Sequence, residues 1–129
     1  MMQQSQLKLN VQAPYLDHLR SGAKTHEGRL AHARYLALKT GDLIEIRANQ
    51  NALVEHASTV DSSIFEVLNV TRYSTFREML LAHGLQHFLP GNEVEDVDAA
   101  VNVYRSFPGY ADGERELGVV AIEVKIFER

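Results

Sequence analysis

The sequence predicts an α+β domain: a small mixed barrel or strongly curved sheet carrying short peripheral helices. Three observations lead there. Strand-like runs, alternating or β-branched, recur near the start, in the middle and at the end of the chain. The helical stripes between them are short. Read in order, the elements run β-α-β-(α)-β-β-β-α-α-β, without the βαβαβ alternation of a parallel nucleotide-binding fold. With 129 residues, 45% hydrophobic and 23% charged, the chain reads as a single domain spanning 1–129. A chain of this size buries about two-thirds of its unfolded surface, enough for a core without covalent staples.

Each element has a local reason. Leu7 to Val11 reads as a short strand. Pro14 suits the first turn of a helix, where a missing N–H costs nothing, and Tyr15, Leu16 and Leu19 continue at helical spacing to a stop at Gly22. Thr25 to Leu30 reads as extended, Ala31 to Leu38 as holding a short helix, and Thr40-Gly41-Asp42 as a turn. Ile44, Ile46 and Ala48 alternate with Leu43, Glu45 and Arg47 as in a half-buried strand. Asn49-Gln50-Asn51 then reads as a turn, Leu53 to Ala57 as a returning hairpin partner, and Ser62-Ser63 as a break. Ile64 to Tyr73 is apolar, β-branched and aromatic on both faces, as a central strand is. Thr75-Phe76-Arg77-Glu78 has capping-box spacing, followed by Phe76, Met79, Leu80 and His83 on one helix face and a stop at Gly84. Val94, Val97, Val101 and Tyr104 form a second helical stripe whose acidic start and terminal Arg105 suit the helix dipole, with Pro108 preventing continuation. Gly118 opens the last strand, with Val120, Ile122, Val124 and Ile126 on one face and Glu123 and Lys125 on the other.

Composition narrows the chemistry. Cysteine is absent, which excludes disulfides, thiolate-bound metals and thiol nucleophiles. No apolar run approaches the roughly 20 residues of a membrane span, and the N-terminus has no secretion-signal pattern, so the reading is cytoplasmic with no membrane partner. The net charge of −4 argues against strong duplex DNA binding, which works by neutralising phosphates. Yet the acidic residues cluster at Glu93, Glu95, Asp96 and Asp98, a solvated helix start, while residues 20–47 carry six Lys and Arg against three carboxylates. A local basic site for a small anionic ligand or a short piece of nucleic acid fits that distribution better than a long duplex.

The unusual stretch is Ser21-Gly22-Ala23-Lys24-Thr25-His26-Glu27-Gly28-Arg29, with opposite charges at the exit of a helix and the entry of a strand. In an extended segment Lys24 and His26 point to one face and Thr25, Glu27 and Arg29 to the other, with a bend at Gly28 able to redirect Arg29. On spacing alone, a solvated turn with a surface ion pair worth about 0–1 kcal/mol accounts for it.

Gly22-x-Lys24-x-x-Glu27-Gly28-Arg29 resembles the Gly-x-Lys-x-x-Glu-x-Arg signature of the ASCH domains, members of the PUA-like superfamily. The similarity continues through Pro14-Tyr15-Leu16, Tyr73 to Leu80, Leu89-Pro90-Gly91, Tyr104-Arg105-Ser106-Phe107 and Gly118 to Ile122, nearly the whole chain in order. The resemblance implies a PUA-like curved β-barrel whose helix–barrel cleft faces RNA or a nucleoside, with no metal and no organic cofactor. Some ASCH proteins cleave single-stranded RNA, some hydrolyse N4-acetylcytidine, and one is part of a transcription coactivator. Two functions are therefore expected: an RNA- or modified-nucleoside-binding protein, with or without metal-independent hydrolysis, or a non-catalytic RNA or protein interaction module in transcription or translation.

Carried over residue by residue, Lys24 is the motif lysine and Glu27 the motif glutamate, both candidate catalytic groups. Partly desolvated beside an arginine, Lys24 loses proton affinity and suits proton transfer; protonated, it holds an oxyanion. Arg29 is the motif arginine, whose planar fork suits a phosphate or a base edge. The chain departs from the acetylcytidine amidohydrolases where their proposed threonine falls: that position is Glu27, and Thr25 is out of register. Thr25, His26, Tyr73 and Tyr110 complete the candidate ligand-binding set: His26 as a motif-adjacent proton donor, Tyr73 at a strand–helix junction, and Tyr110 as either a stacking face or a loop anchor. Tyr104 reads as core. His83 and His87 stand four apart, but Gly84 between them interrupts the helix a metal pair needs, and the other histidines are isolated in sequence.

Overall fold

The computed structural model describes residues 4–49, 61–91 and 94–128. Its elements are β1 (Gln4–Gln12), α1 (Ala13–Ser21), β2 (His26–Leu30), α2 (Ala33–Leu36), β3 (Leu43–Asn49), β4 (Ser62–Tyr73), α3 (Phe76–His83), α4 (Leu85–Phe88), α5 (Val97–Arg105), α6 (Tyr110–Leu117) and β5 (Val119–Ile126). The strands form one mixed sheet in the order β1-β3-β4-β5-β2. β1 runs parallel to β3, and the other neighbours are antiparallel. β4 is central, as its two-faced apolar character predicts.

Two cores flank this sheet, and β5 separates them. Val120, Ile122 and Val124 pack with Leu9, Leu16, Ile44, Ile46, Phe65 and Val67. Val119 and Ala121, on the opposite face, pack with Phe76, Met79, Leu80, Phe88 and Tyr104. A sheet covered on both sides explains why the first four residues of β5 are all buried where simple alternation predicts one wet face. Each fully buried Leu, Ile or Phe contributes about 1.5–3 kcal/mol of apolar transfer.

The helix ends follow their local chemistry. Thr75 Oγ1 accepts from the Glu78 backbone N–H at 3.1 Å, and Asp96 Oδ1 from that of Ala99 at 2.8 Å. Each such cap stabilises by about 1 kcal/mol. A long-range contact adds to the first: the buried Glu114 carboxylate accepts from the Phe76 N–H at 2.8 Å and pairs with Arg105. Gly22 takes the left-handed conformation, φ 87°, that ends α1.

Several expectations are corrected. Ser62 and Ser63 belong to β4, where they pair with Arg47 and Ile46. The valine stripe becomes helical only at Val97, after the Asp96 cap. α6 runs through Gly113, whose missing Cβ makes room for Leu30; a glycine inside a short polar stretch hid that helix. The expected strand Leu53–Ala57, much of the Asn49–Asn51 turn and Glu93 lie outside the described residues. Among the described residues, no helix is long and apolar enough to cross a membrane.

Candidate functional site

Lys24 and Thr25 precede β2, so strand alternation does not govern them. After the turn at Gly22 the Lys24 N–H donates back to His18 O at 3.0 Å. That bend sends the lysine inward, where it is 3% exposed. Its ammonium donates to three acceptors: His26 O at 2.8 Å, Phe88 O at 2.5 Å and Glu27 Oε1 at 2.9 Å. The other Glu27 oxygen accepts from Arg29 Nε at 2.8 Å, while Arg29 Nη2 donates to Asn10 O on β1 at 2.7 Å. Lys24, Glu27 and Arg29 thus form one buried chain of charge, and the surface-ion-pair alternative does not apply.

Gly28 makes no bend. It pairs regularly with Ala121 in the β2–β5 ladder, and Glu27 and Arg29 share a face as residues two apart do. Its role is spatial: a Cβ there would lie 2.6 Å from Met79 Cε and 2.9 Å from the Tyr104 hydroxyl.

The triad borders a cavity of about 350 Å³ at the seam between β1 and β2, lined also by Asn10, Tyr15, Leu89, Tyr104, Phe107 and Tyr110. The size and the mix of aromatic walls with a few polar groups are those of a small-ligand site. Its lining carries two cations and one carboxylate, one positive charge in excess. Burial lowers the Lys24 pKa against the opposing pull of Glu27. For Glu27, burial alone would raise the pKa, but Lys24 and Arg29 outweigh it and hold the carboxyl ionised. Burial works against the Arg29 charge too, and Glu27 more than restores it. Both phenols resist ionisation: burial, then Glu27, pushes Tyr104 well above its ordinary value, and burial raises Tyr110. Glu27 has no free oxygen and Lys24 no free N–H, whereas Arg29 keeps N–H groups without a partner among the described residues.

Of the sequence-predicted set, Lys24, Glu27, Arg29 and Tyr110 line the cavity; Thr25, His26 and Tyr73 do not. Those three belong to a separate cluster across the Lys24–Phe88 contact, drawn there by the docking of α4 on the start of β2. Thr25 Oγ1 is hydrogen-bonded to His26 Nδ1 at 2.8 Å and His87 Nδ1 at 3.1 Å, and the Tyr73 hydroxyl to His83 Nε2 at 2.8 Å. His26 and His83 lie 4.5 Å apart, ring to ring. The interruption at Gly84 therefore does not scatter His83 and His87: both come to His26. Among the described residues, no group of side chains is arranged to hold a metal ion.

Sequence reasoning missed Asn10, which reaches the cleft only because β1 ends the sheet on the opposite edge from β2. It also assigned Tyr104 to the core without its second role as a cavity wall.

The sequence profile of the ASCH domain matches residues 9–128. The crystal structure of hypothetical protein PH0355 is similar, with a TM-score of 0.77 and 29% identity, covering 97% of this chain and all of that one. The solution structure of protein PF0455 from Pyrococcus furiosus superposes with a TM-score of 0.71 at 28% identity, over 98% of this chain and all of that one. No curated protein matches the chain.

Proposed function

This chain belongs to the ASCH domain family, and on that premise we propose that it binds single-stranded RNA or a nucleoside in the β1–β2 cleft, with Arg29 as the ligand-contacting charge. One observation carries the reading: the aromatic-walled cavity has an excess positive charge, and among the described residues Arg29 is the cation there that keeps unspent donors. A guanidinium beside tyrosine and phenylalanine faces suits a phosphate next to an unstacked base. Lys24 and Glu27 act first by positioning, since each spends its hydrogen bonds on protein partners: Glu27 holds the Arg29 fork and Lys24 holds Glu27.

A second reading, hydrolysis of an RNA phosphodiester or of an N4-acylated cytidine, draws support from the lowered proton affinity of Lys24. It requires Lys24 to leave a backbone carbonyl during turnover. The discriminating experiment incubates the protein, and separately its Lys24→Ala variant, with labelled single-stranded RNA and with N4-acetylcytidine. Binding of RNA without turnover, lost in Arg29→Gln, supports the non-catalytic site. Turnover of either substrate that vanishes in Lys24→Ala establishes the hydrolase. Failure to bind or turn over any of these ligands overturns both.

A further inference from the structure

The cluster around His26 does nothing for the cleft directly, yet it holds the element that fixes Lys24. α4 is tied to the chain before β2 by three contacts: Lys24 Nζ to Phe88 O, the Thr25 N–H to His87 O at 3.0 Å, and Thr25 Oγ1 to His87 Nδ1. Leu89, the next residue, is a wall of the cavity. Three imidazoles crowd this joint. The His26 ring lies 4.5 Å from that of His83 and 6.0 Å from that of His87, with Phe88 at 5.2 Å closing the other side.

We propose that these imidazoles form an acid-operated latch. While they are neutral, α4 stays clamped on the start of β2; when the cluster takes up more than one proton, α4 is driven off, Lys24 loses Phe88 O and the Leu89 wall of the cleft opens. Among the described residues no carboxylate makes an ion pair with these imidazoles. From its own segment His26 faces the Lys24 ammonium, from α3 His83, and from α4 His87; β4 contributes the neutral Tyr73 hydroxyl behind His83. Glu123 is its ladder partner on β5 and makes no ion pair with it. Burial, His83, His87 and Lys24 together lower the His26 pKa to about 4. His26 shares its space with both other rings, so protons taken up by the cluster repel one another. The single Thr25 hydroxyl adds a constraint. With one hydrogen it donates to only one of its two imidazole neighbours, so the neutral state fixes the tautomer of the other as an Nδ1–H donor. α4 is a single turn reached through Gly84 at φ 93° and buries one of its four side chains, Phe88; units with so few buried apolar contacts open locally below the global stability.

That release alters ligand binding rests on the reading of the cleft given above; the release itself does not. The test follows amide hydrogen exchange of residues 85–89 in the intact protein from pH 7.5 to 4.5, corrected for intrinsic rates, with β4 amides as internal reference. Wild-type protection in α4 should fall at least tenfold across that range while β4 holds. In His83→Gln and His87→Gln, each lacking one imidazole at a surface-accessible position, the midpoint should move at least half a pH unit lower. Labelled single-stranded RNA should bind the wild type at least threefold more weakly at pH 5 than at pH 7, opposite to the general gain of nucleic-acid affinity on protonation, and His83→Gln should lose that effect. An α4 that keeps its protection to pH 4.5, or midpoints unmoved in both variants, overturns the latch. A latch that opens on cue in a protein that binds RNA at neither pH leaves it standing and overturns the reading of the cleft instead.

Discussion

Replacing Glu27 by Gln keeps the shape of the triad and removes its only anion. Lys24 and Arg29 then face each other across a neutral amide, 2.9 and 2.8 Å from where the carboxylate oxygens stood. Removing one member of a buried, hydrogen-bonded ion network typically costs about 3–5 kcal/mol, because a desolvated charge remains without its partner. For a domain of this length, between the sizes for which shifts are tabulated, each kcal/mol moves the melting temperature by roughly 3–5 °C, so a loss of about 10–25 °C is expected. The pH profile carries a second signature. Burial already lowers the Lys24 pKa, and loss of Glu27 lowers it further. A lysine that binds its proton less tightly folded than unfolded makes stability rise with pH between the two values. Glu27→Gln should therefore regain stability from pH 7 to pH 10 relative to wild type. At the acid end the gap should also narrow, since the wild-type benefit of a depressed Glu27 is lost as pH falls through its folded value. Thermal melts from about pH 2 to pH 10 measure both trends. A loss under about 1 kcal/mol with parallel profiles would mean the triad is hydrated, and the argument from its burial fails.

Other consequences are as direct. Gly28→Ala puts a methyl against Met79 and the Tyr104 hydroxyl, and overpacking should cost about 1–3 kcal/mol in denaturant unfolding while narrowing the cleft; an unchanged midpoint would show that Met79 yields freely. His26, 7% exposed and with its pKa lowered to about 4, is less basic folded than unfolded, so stability should decline as pH falls from about 6.5 toward 4. The separation of those values caps the loss at about 3 kcal/mol, and partial solvation brings it to about 1–2 kcal/mol; a His26→Gln variant that declines as steeply refutes the assignment. Arg29→Lys retains the charge but not the fork, and RNA affinity should drop at least tenfold with little change in melting temperature; equal affinity would mean that charge alone is recognised.

What could be read in advance divides along local and long-range lines. β4 announced its central place because both faces are apolar, and α3 announced its start because Thr75 and Glu78 have cap spacing. The signature charges were legible as a group, but not as buried ones. Extended geometry was assumed from Lys24 onward, whereas β2 begins only at His26, and the bend from Gly22 turns Lys24 inward. The histidine cluster was invisible for a related reason. His26 stands about sixty residues from His83 and His87 in sequence, and only the docking of α4 on the Lys24–Thr25 segment brings the rings together. Gly84 does interrupt the helix, but the chain resumes at Leu85 in a second turn that buries Phe88.

The position of the cleft follows from how the sheet ends. β1 and β2 are its two edges, and edge strands present unpaired backbone groups that a folded chain must cover or use. Among the described residues these two edges share no ladder; a side chain spans them, Arg29 donating to Asn10 O at 2.7 Å. A ladder across that gap would satisfy the edges and leave no cavity. A guanidinium satisfies one carbonyl, keeps donors in reserve and holds the strands apart, so the same residue closes the fold and equips the opening. This dual duty explains the arrangement behind it: Glu27 compensates the Arg29 charge at a mostly buried seam, and Lys24 from the far side joins Arg29 in keeping Glu27 ionised. Removing the outermost member should therefore disturb recognition more than stability, and removing the central one the reverse.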